Sequence, residues 1–429
     1  MSDFERLVTP IPGPRSKELA TRLSATESRG VTFLGDEFPV FWQSASGATV
    51  SDVDGNRYLD LSAAFGVAAT GHANPAVARA IAQQGEQLPH AMGDVHPSDV
   101  KVRLLERLCA LAPMKDAKAY LCTNGSDSIE FALKTALLAT GRPNVLAFSG
   151  SYHGLSTGAL EVTGIEKFRT PFIAQLRDET AFVPFPDRRD PAALTRSLEA
   201  IDDAFREHPS IGAAIVEPIQ GRAGAVIPPE GFLHGLRRVC DAHERLLIVD
   251  EIFTGFGRTG ALFASAAQNV EPDLLCVGKA LANGFPFAAT LGRDAVMDAW
   301  QPSTGEALHT STYLGNPMGC SAALANLAEI ERLTVVERAR ALEQRIGARI
   351  ESLRQEAAVV DIRGSGALWG IECASGDTAN RWVAGALQRG VIVLQSGVRG
   401  EALMLSPPLV IDNAQIDRAL DLLVASIPR

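Results

Sequence analysis

The sequence predicts an α/β fold with a large domain, built on a mainly parallel seven-stranded sheet, and a smaller α/β domain. From about residue 75 to about residue 325, short apolar runs alternate with amphipathic segments, for example at 129–138 and 232–243. This alternation is typical of parallel strands joined by helices that cover both faces of a sheet. The predicted strands lie at 119–122, 145–148, 181–185, 211–216, 246–249, 274–277 and 288–291.

The two flanking parts of the chain have a different pattern. Near the N-terminus, a proline-rich arm and a short helical pattern precede two strands joined by a turn at 52–58, where Asp, Gly and Asn favour a hairpin. After about residue 326 the order is helix, strands, helix. We therefore expect an arm and part of a small domain at 1–75, a large domain at 76–325, and the rest of the small domain at 326–429.

Composition excludes several classes of protein. The chain has 429 residues, 46% of them hydrophobic, which is enough for a substantial core. A net charge of -10 disfavours a nucleic-acid partner. We expect no membrane span, because no run of about 18 apolar residues occurs. The start of the chain lacks a signal-peptide pattern, and the six cysteines form no Cys-x-x-Cys pair. These features predict a cytoplasmic protein without a metal site.

Two charged residues close neighbouring apolar runs of the predicted sheet. Asp250 ends the run that begins at Leu246, and Lys279 follows the run that begins at Leu274. The carboxyl ends of parallel strands share one edge, where open α/β sheets bind their ligands. A lysine and an acid at that edge suit pyridoxal phosphate (PLP), since the lysine can bond its aldehyde and the acid can pair with its ring nitrogen.

Four further motifs narrow this hypothesis. They occur in one order and spacing within residues 52–409, and they read DEIFTGFGRTG at 250–260, SYHG at 151–154, EPIQG at 217–221 and GNP at 315–317. Together they resemble the subgroup III (omega-type) aminotransferases. The resemblance implies fold type I, PLP as cofactor, amine and oxo-acid substrates, and a homodimer with its sites at the subunit interface.

The resemblance also implies roles for individual residues. Lys279 is then the Schiff-base lysine and, once released, moves a proton at the reacting carbon. Asp250 keeps the ring nitrogen protonated. Ile252, two residues further and on the same strand face, packs against one face of the ring, and Tyr152 stacks on or near the other. His153 and Glu217 belong to the same cofactor-binding set.

The phosphate group is expected at a turn that precedes a helix. Gly125 and Ser126 follow Asn124 at this turn, and backbone amides at a helix start suit an anion. Ser126 can equally be a helix N-cap, and the two roles are compatible. Thr312 resembles a threonine that reaches the phosphate of the partner subunit, so that each site is completed only in a dimer.

The chain departs from the family at positions that affect substrate choice. Family members that use glutamate often carry an arginine where this chain has Met404, and that arginine's partner is a glutamate where this chain has Arg222. Leu155 stands where members acting on 4-aminobutyrate have an arginine, and Phe253 stands where many members have a glutamine. With Phe65, these residues predict a less charged pocket than usual.

Arg222 allows three interpretations, because a buried and unpaired charge is costly. It faces solvent, pairs with Glu217, or meets an anionic substrate. We take as a hypothesis that Arg222 or Arg399, in a loop before Pro407, replaces the missing carboxylate clamp. Both arginines can also be ordinary surface residues.

The predicted function is an aminotransferase that moves an amino group, on a terminal carbon, to an oxo acid or aldehyde by a ping-pong route. The alternative is a racemase, epimerase or aminomutase on the same scaffold. A third interpretation is a binding module that has kept the fold but lost the chemistry.

Overall fold

The computed structural model describes residues 4–428 and arranges them in three β-sheets surrounded by helices. The strands are β1 (Trp42–Ser46), β2 (Thr49–Asp52), β3 (Arg57–Asp60), β4 (Ala117–Cys122), β5 (Asn144–Phe148), β6 (Ala181–Val183), β7 (Ile211–Val216), β8 (Leu246–Asp250), β9 (Leu274–Val277), β10 (Ala288–Arg293), β11 (Val359–Ser365), β12 (Leu368–Cys373), β13 (Val391–Ile392), β14 (Leu394–Ser396) and β15 (Ala402–Leu405).

The α-helices cover the sheets and connect their strands. They are α1 (Pro14–Thr26), α2 (Ala63–Gly66), α3 (Pro75–Gln87), α4 (Asp99–Leu111), α5 (Gly125–Thr140), α6 (Thr157–Glu161), α7 (Glu166–Arg169), α8 (Ala193–Glu207), α9 (Phe232–Ala242), α10 (Ala264–Ala267), α11 (Asp294–Met297), α12 (Pro317–Arg332), α13 (Val335–Ile350), α14 (Gly376–Leu387) and α15 (Asn413–Val424). Short 3-10 helices occur at Thr170–Gln175, Lys279–Leu281 and Glu351–Gln355. Of the helices within residues 4–428, none combines the length and apolar character needed to cross a bilayer.

The central sheet confirms the predicted seven strands. Its order is β4-β10-β9-β8-β7-β5-β6, in which β9, β8, β7, β5 and β6 run parallel and β10 is antiparallel to both of its neighbours. All six residues of β7 are buried, as expected for a strand covered on both faces. Strand β6 ends at Val183, earlier than predicted, because Pro184 has no N–H to continue the ladder.

The ends of β8 and β9 meet at one edge of this sheet. The two strands are parallel, and Asp250 is paired in register with Cys276. Strand β8 ends at Asp250, while β9 ends at Val277 and is followed by Gly278 and Lys279. The predicted placement of the acid and the lysine at the carboxyl edge is therefore confirmed.

Two smaller sheets contain the remaining strands. One has the order β1-β2-β3-β13, and the other has the order β11-β12-β15-β14. The predicted hairpin is present as β2 and β3, and β13 joins it by pairing parallel to β3. A strand from the C-terminal part thus completes a sheet of the N-terminal part. The division at residues 75 and 325 stays a prediction.

Candidate active site

A cavity of about 590 Å³ opens beside the ends of β8 and β9. Parallel strands bring these ends together, and the turns that follow them form the wall of the cavity. Most of the predicted site residues line it, namely Phe65, Gly125, Ser126, Tyr152, His153, Glu217, Arg222, Asp250, Ile252, Lys279 and Met404.

Lys279 is held in a strained backbone conformation at the cavity wall. It opens a 3-10 turn directly after Gly278, with a φ of 43°, which is unusual for a residue other than glycine. Its Nζ lies 4.0 Å from the centre of the Phe253 ring. Removal from bulk water lowers the pKa of Lys279 to about 8, although the carboxylates of Asp250 and Glu217 oppose this shift. Roughly a tenth of the amine is therefore neutral and nucleophilic at pH 7, far more than for a free lysine.

Asp250 is fixed by two hydrogen bonds at the same wall. The carboxylate is 5% exposed, and its Oδ2 lies 2.8 Å from Nδ1 of His153. Its Oδ1 accepts the N–H of Ile252 at 3.0 Å. The backbone N–H of His153 donates in turn to Oγ1 of Thr163. His153 thus orients Asp250, a contact that sequence reasoning did not assign.

The turn before α5 has the form expected for a phosphate site. The side chain of Asn124 caps the helix by accepting the N–H of Asp127 at 3.0 Å. The interpretation of Ser126 as the N-cap is therefore wrong, because the helix already begins at Gly125. The Oγ of Ser126 instead accepts the N–H of Leu155 at 3.3 Å. The first N–H groups of α5 have no acceptor within the helix, and they lie at the cavity.

Two residues on the cavity wall are candidates to flank a planar ring. Tyr152 lies in the segment after β5 and contacts Phe168 edge-on, with ring centres 5.6 Å apart. The prediction that Ile252 shares a strand face with Asp250 is wrong. Strand β8 ends at Asp250, and Ile252 belongs to the following turn. Its side chain still lines the cavity, where a Cβ at position 125 would come within 2.9 Å of it.

Glu217 connects two loops and does not pair with Arg222. Its Oε1 accepts the N–H of Tyr152 at 2.8 Å, and its Oε2 accepts the N–H of Gly221 at 3.1 Å. Burial raises the pKa of Glu217, while His153 opposes the shift. Arg222 lines the cavity with Nη1 buried and without a hydrogen-bond partner. The sequence allowed Arg222 to face solvent, to pair with Glu217 or to meet an anionic substrate. The geometry favours the third interpretation.

Phe253 and Phe65 form apolar parts of the wall. The Phe253 ring lies between Gly66 and Gly221, and a Cβ at either glycine would collide with it. Phe65 lies in α2, has a φ of 61°, and is 63% exposed. The sequence identified Phe253 as a departure from the family and as part of a less charged pocket, but not its position between two glycines. The flanking glycines Gly66 and Gly221 were the available signal for its position.

Thr312 and Arg399 are not among the residues that line the cavity. Thr312 is exposed, in the segment that follows His309. Arg399 lines a second cavity of about 700 Å³, together with Lys167, Arg363 and several acidic residues. Within residues 4–428, Arg222 is therefore the guanidinium placed at the first cavity.

The residues at this cavity fit PLP. A lysine with a lowered pKa can bond the aldehyde, and the Asp250 carboxylate can pair with the ring nitrogen. The start of α5 can hold the phosphate. One cavity presents all three groups, as this cofactor requires.

Comparison with known proteins agrees with this chemistry. The family model described as aminotransferase class-III matches residues 33–427. A 4-aminobutyrate aminotransferase of Mycobacterium tuberculosis is 35% identical over 99% of this chain and 98% of its own length. An alanine/serine racemase of Pyrococcus horikoshii is 30% identical over 100% of this chain and 93% of its own length.

The fold is shared with solved transaminases. An amine transaminase from an uncultivated Pseudomonas species, solved with PLP bound, superimposes with a TM-score of 0.87 at 27% identity. The similarity covers 94% of this chain and 98% of that one. The protein belongs to the class-III aminotransferase family, whose members are PLP-dependent enzymes of fold type I.

Proposed function

We propose that the protein moves an amino group from a terminal carbon of its donor to an oxo acid or aldehyde, in two half-reactions at one site. The observation that carries this proposal is the cavity in which Lys279, with its lowered pKa, lies beside Asp250. The name of the mycobacterial relative, a 4-aminobutyrate aminotransferase, supports a donor with its amino group on a terminal carbon.

Lys279 has two roles in this proposal. It would hold the cofactor by a covalent bond until the donor amine takes its place. The freed amine, whose lowered pKa makes its neutral form more accessible, would then take the proton from the amino-bearing carbon and return it on the cofactor side. When bound, PLP supplies the aldehyde carbon for attachment and a ring that takes up electrons as the C–H bond breaks.

Asp250 and His153 act together on the ring nitrogen. The Asp250 carboxylate keeps that nitrogen protonated, and the hydrogen bond from the His153 ring fixes the orientation of the carboxylate. Tyr152 and Ile252 flank the ring, and Glu217 holds the Tyr152 segment in place through its backbone N–H. The N–H groups of Gly125 and Ser126, at the start of α5, would hold the phosphate.

We propose that the enzyme acts as a homodimer in which Thr312 of one subunit completes the phosphate site of the other. Large apolar side chains are exposed on this segment and on the 92–95 segment, to which Thr310 is hydrogen-bonded through Asp94, namely Met92, Val95, Leu308 and Tyr313. Exposed apolar side chains grouped in this way are typical of subunit interfaces. We also propose a cytoplasmic location, supported by six free cysteines, five of them buried.

Borohydride reduction tests the role of Lys279 without requiring a known substrate. Reduction of PLP-loaded protein should attach the cofactor to the peptide containing Lys279, as mass spectrometry will show. Lys279→Ala should lose this attachment and all amino transfer. The matched control is Lys118→Ala, at an exposed position on β4. Attachment at another lysine in the wild-type protein would reject the assignment.

A racemase is the second candidate, because the Pyrococcus horikoshii relative has that activity in its name. A racemase inverts the amino-bearing carbon without net loss of the amino group. Incubation with one enantiomer of an amino acid, followed by chiral chromatography and an assay for oxo acid, separates the two functions. The aminotransferase proposal requires oxo acid or aldehyde in an amount equal to the cofactor.

A further inference from the structure

We infer, on the basis of the proposed aminotransferase function, that Arg222 binds the single carboxylate of a monocarboxylic substrate. The substrates of this site are then amino acids and oxo acids that carry one carboxylate and an otherwise apolar body. Dicarboxylic substrates are disfavoured.

Arg222 lacks a counter-ion within residues 4–428. Its Nη1 is buried and has no hydrogen-bond partner. Burial lowers the pKa of Arg222, and the group that opposes this shift is the phenol of Tyr152. That phenol cannot supply a negative charge near neutral pH, because burial raises the pKa of Tyr152. A guanidinium in this setting is costly unless a ligand brings an anion to it.

The neighbouring acid does not fill this role. Both carboxylate oxygens of Glu217 accept backbone N–H groups, from Tyr152 and from Gly221. The carbonyl of Arg222 accepts the N–H of Gly397 at 3.0 Å, which fixes its backbone against the segment after β14. The backbone is therefore held while the guanidinium stays available at the cavity, where it can bind a carboxylate with two parallel hydrogen bonds.

The other cavity residues limit the ligand to one carboxylate. Lys279 serves the cofactor, and His153 is bonded to Asp250, so Arg222 is the remaining cation among the lining residues described. A second carboxylate would face apolar walls and lose its hydration without a partner. The apolar residues of that wall include Phe65, Val67, Phe168, Phe253 and Met404.

Kinetics with matched acceptors test this assignment. The enzyme is loaded with pyridoxamine phosphate, which supplies the amino group, and is assayed with pyruvate, with 2-oxoglutarate, and with propanal, which has no carboxylate. Arg222→Gln should lower kcat/KM for pyruvate by between about 10-fold and about 100-fold, the range for a hydrogen-bonded charge. The value for propanal should stay within about 2-fold of wild type, since a neutral acceptor makes no charged contact.

The matched control is Arg381→Gln, on the exposed surface of α14, where the arginine pairs with Asp377. It should leave all three values unchanged. An equal loss for pyruvate and propanal in Arg222→Gln would mean that Arg222 only supports the fold. A loss for pyruvate in Arg399→Gln instead of Arg222→Gln would also overturn the assignment. A wild-type preference for 2-oxoglutarate over pyruvate would contradict the limit to one carboxylate.

A binding measurement separates this inference from the proposed function. Propanoate carries the carboxylate but cannot react, and its dissociation constant is measured by calorimetry on the PLP-loaded protein. Arg222→Gln should weaken binding by about 10-fold or more, while Arg381→Gln should not. Absence of turnover with every amine and acceptor would reject the proposed function. The propanoate titration would still show whether Arg222 binds a carboxylate. Equal affinities in wild type and Arg222→Gln would reject the inference.

Discussion

Lys279 owes its reactivity to its position just past the end of a buried strand. Burial lowers the pKa of its amine to about 8, and the strained backbone fixes where the side chain enters the cavity. A free lysine has a pKa of about 10.4 and is almost fully protonated near neutral pH. The environment therefore makes the neutral, nucleophilic form available at a pH more than about two units lower.

The pH dependence of cofactor attachment follows from this shift. In the apoenzyme, the rate of PLP attachment should rise with pH as the Lys279 amine loses its proton, and should level off above about pH 8. Stopped-flow absorbance across the pH range measures this profile, with N-acetyl-lysine amide as the reference amine. A rate that continues to rise to about pH 10, as expected for a free amine, would contradict the lowered pKa.

Asp250 provides a second prediction for a single residue. Asp250→Asn removes the charge that keeps the ring nitrogen protonated but preserves the shape of the side chain. Turnover should fall by about 100-fold or more, comparable to the loss of one preorganised electrostatic contact. Asp377→Asn, at an exposed position on α14, is the matched control. Unchanged steady-state turnover in Asp250→Asn would remove Asp250 from the mechanism.

At the first turn of α5, the helix N-cap and the predicted phosphate site involve different residues, whereas the sequence allowed both roles for Ser126. Asn124 caps the helix, whereas Ser126 lies within it and faces the Leu155 N–H. Asn124→Ala should lower the free energy of unfolding by about 1 kcal/mol, the usual value of an N-cap. Ser126→Ala keeps the backbone N–H groups but removes the hydroxyl that accepts the Leu155 N–H beside the phosphate site, so it should weaken PLP binding with less effect on stability. Urea unfolding of the apoproteins and PLP titration distinguish the two, and a reversed pattern would contradict the assignment.

A substitution at Gly125 tests whether PLP binding depends on the close packing between α5 and the turn after β8. A Cβ at this position would lie 2.9 Å from Cδ1 of Ile252 and would push the cavity wall outward. Gly125→Ala should therefore raise the dissociation constant of PLP. Gly85→Ala, in α3, places its new Cβ against the flexible side chain of Met318 and should leave PLP binding unchanged. Equal PLP affinity in the two variants would show that the close approach at Gly125 is unimportant.

The sequence predicted the strands of the central sheet because each is a short apolar run between amphipathic segments. It placed Asp250 and Lys279 correctly because a charge after a buried run marks the end of a strand. The contact between His153 and Asp250 was not predictable in this way, since it joins positions 97 residues apart. The interpretation of Ser126 as a helix N-cap also failed, because adjacent polar residues give no signal for the start of the first turn.

At the scale of the whole molecule, the dimer proposal predicts complementation between two defective variants. Thr312→Ala should bind PLP weakly, and Lys279→Ala should be inactive. In a hybrid dimer, one site combines both defects, and the other has an intact Lys279 and an intact Thr312. Hybrids purified with two affinity tags should therefore regain about half of the wild-type activity at low PLP concentration, because one of two sites is complete. No recovery would show that Thr312 does not act across the interface.

The most direct test of the central claim is the product formed by PLP-loaded protein when an amino donor is added without any acceptor. A mixture of 4-aminobutyrate and L-alanine offers donors with one carboxylate each. We predict loss of the cofactor's visible absorbance and release of the aldehyde derived from 4-aminobutyrate in an amount equal to the cofactor. Formation of D-alanine without any carbonyl product would contradict the account and assign the protein to the racemases.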